Sequence, residues 1–211
     1  IDSFPFFNEI ELLDLRFNYL NNNVDKFILV EGTKSHQGNN KKLYFDENKS
    51  LFKKYKNKII HHIIDDYPLI EDKKKFDSFL YDYHTRNSIG VALKKLQLKD
   101  NDIILLSDVD EIPNYNFFSK FRGNLTIFKQ YMLYFHMNLR CTGFEPDYGD
   151  GLWGGTRMLY FKDFKGAQKI RNIKPKKYGW WRIDKPKIDF LYYAGWHFRF
   201  LGNEENLINE F

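Results

Sequence analysis

The chain contains one cysteine, Cys141. An internal disulfide framework and a cysteine-based zinc cluster are both excluded. Long apolar runs are missing too: none approaches the roughly 18 residues that a membrane-spanning helix requires. No signal-peptide pattern opens the chain, which points to a cytoplasmic protein; the first residue is Ile1 rather than Met, leaving upstream sequence open. There is no internal repeat and no low-complexity linker. There is also no recognition helix, zinc finger or RNA-binding signature, so nucleic acid is not an expected partner. The net charge of +5 and the pI near 9.0 suit an anionic ligand. The lysines are scattered, however, apart from Lys73–Lys75 and the stretch from Lys174 to Lys177, and a solvated basic surface explains most of them.

What is present is enough for a core. The 211 residues are 43% hydrophobic and 29% charged, which fits one soluble domain. The first half alternates strand and helix. Residues 1–7 read as a short buried strand. Asn8 is placed to cap a helix over 9–20, in which Ile10, Leu13, Phe17 and Leu20 share a face. Residues 26–30 (KFILV) and 58–64 are further strands, 76–98 a long helix, and 102–107 (DIILLS) a fourth buried strand. Strands separated by helices argue for a parallel sheet with right-handed crossovers. Ligands bind such sheets at the carboxyl ends of the strands, so the loops after Phe7, Val30 and Ser107 are expected to converge. In the second half, 125–139 and 157–161 read as strands. The loops 144–156 and 178–187 are rich in Gly, Trp and Pro, and a mixed sheet is expected there.

The chemistry concentrates in Asp108-Val109-Asp110-Glu111, directly after the apolar strand. Three carboxylates at a strand end repel one another unless something positive joins them. Hard divalent ions such as Mn²⁺ or Mg²⁺ prefer oxygen ligands and share them with substrate phosphates. A bare D-x-D triplet is common in loops. One at the end of a buried strand, after three strand–helix units, is a stronger signal. Some phosphatases also place D-x-D after an apolar strand, but they open the chain with that strand. Here about a hundred residues precede it, and Glu111-Ile112 follow.

At this point the sequence resembles a known family. The stretch from Asp2 to Arg16 (DSFPFFNEIELLDLR) looks like the opening of glycosyltransferase family seventeen, the bisecting β-1,4-N-acetylglucosaminyltransferases and their microbial relatives. Matching segments follow in the same order: Val24-Asp25-Lys-Phe-Ile-Leu-Val-Glu31, Ser35-His-Gln-Gly38, Ser107-Asp-Val-Asp-Glu-Ile-Pro113, Trp153-Gly-Gly-Thr-Arg157 and Ala194-Gly-Trp-His-Phe198. The resemblance implies a GT-A-type α/β fold, with a Rossmann-like, mostly parallel central sheet and helices on both faces. It implies a single domain over 1–211, with 1–113 as the nucleotide-binding half and 114–211 as the acceptor-binding half. It also implies an inverting transfer of N-acetylglucosamine from a UDP-sugar to a glycan hydroxyl.

Carried over by position, Asp108 and Asp110 become the metal motif, with His197 as a late metal or diphosphate ligand. Glu31 takes the place of a uridine-reading acid, and Phe6, Arg86 and Asn87 line the nucleotide. Arg157 and Lys162 are placed to add positive charge near the diphosphate, and Gly154-Gly155 to let backbone approach the donor sugar. Asp147, Asp150 and Asp163 are the candidate bases, with Asp147 and Asp150 favoured because they flank a Gly-rich loop running into Trp153. Trp153 and Trp181 are the candidate acceptor platforms. Two other readings stay open: a catalytically inactive sugar- or nucleotide-binding module, and a transferase for a different nucleotide sugar.

Overall fold

The computed structural model describes residues 1–35, 37–68, 78–136, 138–142, 151–176, 179, 181 and 183–199. The chain is of the α/β class, with eight strands among these residues. It divides into two compact units. The first is Ile1–Val109 with Tyr160–Lys174, and the second is Asp110–Leu159 with Pro175–Phe211. The return of Tyr160–Lys174 to the first unit is not visible in the sequence. That segment is tied there by backbone bonds from Phe161 N to Asp102 O and from Lys162 N to Asp100 O (2.8 and 3.1 Å).

In the first unit, β1 (Asp2–Phe6), β2 (Phe27–Gly32), β3 (Ile59–Ile64) and β4 (Ile103–Leu106) lie in the order β3-β2-β1-β4, all parallel. β1 and β2 are almost wholly buried, as expected for strands covered on both sides. Helix α1 (Ile10–Leu20) lays Phe17 on Phe4 of β1 and Phe27 of β2 (ring centroids 6.4 and 4.6 Å). Gly32 has the opposite parity to Phe27 and so faces the other way. A Cβ there would meet Tyr67, whose ring packs on Tyr81 of α3 (Ser78–Lys94). The two helices therefore cover opposite faces of the first unit's sheet.

The helix start expected at 76 lies outside the described residues. Its end falls at Lys94 rather than 98, because Lys95 N and Leu96 N bond three residues back and close the last turn. Asn8 is not the cap of α1. Glu9 holds that position, and its carboxylate takes the backbone N–H groups of Phe7 and Asn8. The short helices α2 (Tyr44–Asn48) and α4 (Ala167–Arg171) complete this unit.

In the second unit, β5 (Glu111–Pro113), β6 (Leu125–Tyr134), β7 (Leu152–Tyr160) and β8 (Ile188–Arg199) run in the order β7-β6-β8-β5. The pairing is mixed: β6 is antiparallel to β7 and parallel to β8, and β5 is antiparallel to β8. β6 stops at Tyr134, short of the expected 139, because Phe135 adopts a left-handed φ of 60° and turns the chain. β7 begins five residues earlier than expected, so Trp153, Gly154 and Gly155 are strand residues, with Trp153 opposite Gln130 and Gly154 opposite Lys129 of β6. The two glycines hid the strand, since they lower strand propensity. Here their missing Cβ atoms leave room for Pro175 and the Gln130 side chain. β8 is longer than the apolar run 190–194 and carries His197. It bulges opposite Lys129 and Tyr131, with Tyr193 at φ 58° and Gly195 at φ 143°.

Candidate active site

The carboxyl ends of β1, β2 and β4 carry the site residues of the first unit. Asp108 follows β4, and its backbone is held from below. Arg16 of α1 is fully buried and donates from Nη1 to the carbonyls of Asp108 and Val109 (2.9 and 3.0 Å). The same guanidinium pairs with Asp2 (Nε–Oδ2 2.7 Å, Nη2–Oδ1 2.6 Å) and reaches Ser107 Oγ (2.5 Å). Its Cζ lies over the Phe4 ring, 4.4 Å from the centroid. A charge this deep persists only when paired and fully hydrogen-bonded. The Arg16 fork meets that condition by binding the turn in which the acid motif begins.

The side chain of Asp108 is shared between two guanidinium groups. Arg86 of α3 donates Nε and Nη2 to Oδ1 (3.3 and 3.0 Å), and Arg171 of α4 donates Nη2 to Oδ2 (3.0 Å). Arg86 Nη1 also binds Asp82 and the Gln168 side chain, both at 2.7 Å. Burial disfavours the charged form of Arg86, but Asp108 and Asp82 outweigh it and raise its pKa. Asn87, expected beside the nucleotide, accepts from the Gln168 backbone N–H (3.1 Å), which locks α3 to α4.

Glu31 and Phe6 are brought together, opposite each other at the ends of β2 and β1. Glu31 is fully buried. It accepts from Phe45 N (3.2 Å) and Lys41 Nζ (3.4 Å), and it pairs with His61 Nε2 (2.9 Å). Phe6 packs edge-on to Phe45. Lys41 is pushed below the ordinary lysine range by burial, with Glu31 pulling it back up.

In the second unit, Asp110 Oδ2 lies 3.2 Å from His197 Nε2. His197 is 7% exposed and stacks on Trp153 (4.9 Å, 28°). The Trp153 indole N–H donates to the fully buried Glu111 (2.5 Å), and Glu111 is the cross-strand partner of His197. His197 is thus stacked, paired to an acid and next to the motif in space. Arg157 is buried and donates Nη1 to the carbonyls of Gly154 and Gly155. Asp163 and Lys162 are exposed on the short 3₁₀ segment Phe161–Asp163 of the first unit. Trp181 is 67% exposed. Asp147 and Asp150 lie outside the described residues.

The oxygen donor on Asp110 suits Mn²⁺ or Mg²⁺, and the imidazole nitrogen of His197 beside it favours the softer Mn²⁺ of the two. Among the described residues no group of three or more His, Cys, Asp or Glu side chains forms a complete metal cage. A partial shell fits a cation that shares its coordination with substrate phosphates and water.

Sequence reading gave no role to Arg16, Arg171, Gln168, Lys41 or His61. Arg16 had a signal: it stands on the buried stripe of α1 with Leu12, Leu13, Phe17 and Leu20, where a charge requires a reason. Arg171 had none, because its five-residue helix belongs to the returning segment.

Comparison with known proteins gives first the class, glycosyltransferase. The family model that matches residues 1–160 is Glycosyltransferase family 17, and the chain belongs to that family. Beta-1,4-mannosyl-glycoprotein 4-beta-N-acetylglucosaminyltransferase of Homo sapiens is 27% identical over 110 residues, which are 50% of this chain and 20% of that protein. The proteins of the same description from Rattus norvegicus and Mus musculus are 27% and 26% identical over the same length. The matched segment thus spans about a fifth of these curated relatives. Among the described residues no helix is long and apolar enough to cross a membrane.

Proposed function

We propose that this chain carries a GT-A-type, metal-dependent, inverting glycosyltransferase that moves N-acetylglucosamine from a UDP-sugar to a hydroxyl of a glycan acceptor. The observation that carries the reading is the acid motif after β4, with the carbonyls of Asp108 and Val109 fixed by a buried arginine. The backbone from which Asp108 projects is thereby held in place, so that its carboxylate starts from a fixed point. The donor sugar is drawn from the family and from the printed description of the relatives.

In this reading Asp108 and Asp110 hold Mn²⁺ or Mg²⁺, with His197 beside Asp110. Bound there, the cation supplies Lewis-acid charge for the diphosphate leaving group. The chain's own residues do the rest. Arg86 offers a guanidinium to the diphosphate. Glu31 and Phe6 form the floor of the nucleobase end. Asp147 or Asp150 takes the proton of the acceptor hydroxyl. The acceptor oxygen forms a bond to the anomeric carbon while the bond from that carbon to the diphosphate oxygen breaks, so the configuration inverts and UDP departs. Trp153 and Trp181 stand as acceptor contacts.

The test is hydrolysis and transfer with a panel of nucleotide sugars, with Mn²⁺ and then with chelator. We expect the UDP-N-acetylglucosamine donor to be consumed fastest and only with metal. Asp110→Ala should remove turnover and leave the fold intact. Turnover that is equal in chelator would remove the metal from the mechanism. A preference for a GDP- or dTDP-sugar would refute the donor assignment.

A further inference from the structure

We propose that Arg86 and Arg171 form an anion site for a phosphoryl or diphosphate group, in which the carboxylate of Asp108 stands as an internal substitute until it turns to a cation. The inference rests on the donor-binding reading above and adds Arg171 and an exchange of partners to it.

Three observations carry it. First, two guanidinium groups converge on one carboxylate, each on a different oxygen: Arg86 on Oδ1 and Arg171 on Oδ2. An arginine frequently forks on one acid, with both oxygens on the same guanidinium. Divided coverage by two arginines matches a phosphate, whose three oxygens accept from several directions.

Second, exposure is distributed in the wrong sense for a simple surface pair. The arginine side chains are only 12% and 10% exposed, whereas the acid between them is 30% exposed. The cations are therefore fixed in the protein wall, and the anion is the more accessible member.

Third, the wall is braced. Arg86 is held by Asp82 and by Gln168, and Asn87 binds the backbone of Gln168, so Arg86 and the start of the helix that carries Arg171 keep their places if Asp108 leaves. Asp108 is also the first acid of the motif. If its carboxylate left to hold a divalent cation, both guanidinium groups would lose the acid they share here. A diphosphate in its place would restore the balance.

Calorimetry with inorganic pyrophosphate in chelator, without any metal, tests this independently of turnover. Wild-type protein should bind weakly, because Asp108 competes. Asp108→Asn keeps the shape and removes the competing charge, and it should bind at least ten-fold tighter. Asp108→Asn/Arg171→Met should fall back to the wild-type level or below. The inference is overturned if Asp108→Asn binds no tighter than wild type, or if the gain survives Arg171→Met. Should Asp108→Asn fail to fold, Arg171→Met alone is measured against UDP with Mn²⁺. A loss of ten-fold or more is expected, and unchanged affinity would overturn the site. A protein that shows the exchange but consumes no nucleotide sugar keeps this inference and loses the proposed function. A protein that turns over its donor without the exchange does the reverse.

Discussion

The guanidinium of Arg16 and the carboxylate of Asp2 form a two-point ion pair with both side chains at 0% exposure. The pair joins helix α1 to strand β1, and its remaining donors fix the carbonyls that begin the acid motif. A structural buried pair and a positioning device are one object here, and substitution separates the two roles.

Arg16→Met alone leaves Asp2 as a buried, uncompensated charge, and should destabilise the chain by about 3–5 kcal/mol. Adding Asp2→Asn removes that charge and should recover most of the stability in a urea titration. Turnover should not recover, because the carbonyls of Asp108 and Val109 still lack their donor. The expected kinetic signature is a lower kcat and a weaker metal response at near-native stability. A double variant with wild-type kcat and metal response would show that Arg16 serves folding only.

His197 is stacked on Trp153 as well as paired with Asp110. His197→Ala therefore loses a ring contact of about 0.5–1.5 kcal/mol in addition to any ligand role. His197→Phe keeps the stack and removes the nitrogen. We expect its melting temperature to stay near wild type while turnover falls about ten-fold or more, equivalent to about 1.4 kcal/mol of transition-state stabilisation. Wild-type turnover in His197→Phe would return the residue to the core.

Glu31→Gln leaves the Lys41 ammonium buried without its acid, and should cost roughly 1–3 kcal/mol near neutral pH. Burial already holds Lys41 below its ordinary pKa of 10.5, and Glu31 opposes that shift. Without Glu31 the folded-state pKa falls further. Between that value and 10.5 the unfolded chain binds more protons than the folded one, so stability rises with pH across the window. The deficit of the variant should therefore be largest well below the window and shrink as pH approaches 10.5. Denaturant melts from pH 7 upward measure it. A deficit that is flat or grows with pH would mean that Lys41 does not feel Glu31.

Gly195→Ala places a Cβ 2.3 Å from the carbonyl oxygen of Ile112 and 2.9 Å from Pro113 Cα, at a φ of 143°. Both obstacles are backbone, so β5 must shift. We expect a loss of about 1–3 kcal/mol from the backbone strain alone. Turnover should fall with it, because Glu111 on β5 pairs with His197 on β8. Gly155→Ala meets side-chain atoms, those of Gln130 and Cδ1 of Trp153 at 3.0 Å, so no strand has to shift and the loss should be milder. Equal thermal melts for the two variants would contradict the pairing of Pro113 with Gly195.

The sequence by itself determined the α/β class, the four parallel strands of the first unit and the placement of the acid motif at a strand end. These follow from local information: apolar runs of strand length, a helical stripe over 10–20, and carboxylates where the apolar run stops. The ordered motifs also determined the family. Tertiary structure decided what those motifs touch. Arg171 reaches Asp108 only because Tyr160–Lys174 returns to the first unit. Gly154 and Gly155 fit a strand because Pro175 and the Gln130 side chain occupy the space that a Cβ would take at each. Glu31 drew Lys41 and His61 from ten and thirty positions away. The physical reason is the same in each case. Periodicity records which face of an element is apolar, but a charge buried on that face is specified by a partner remote in sequence, and only packing brings the two within hydrogen-bonding range.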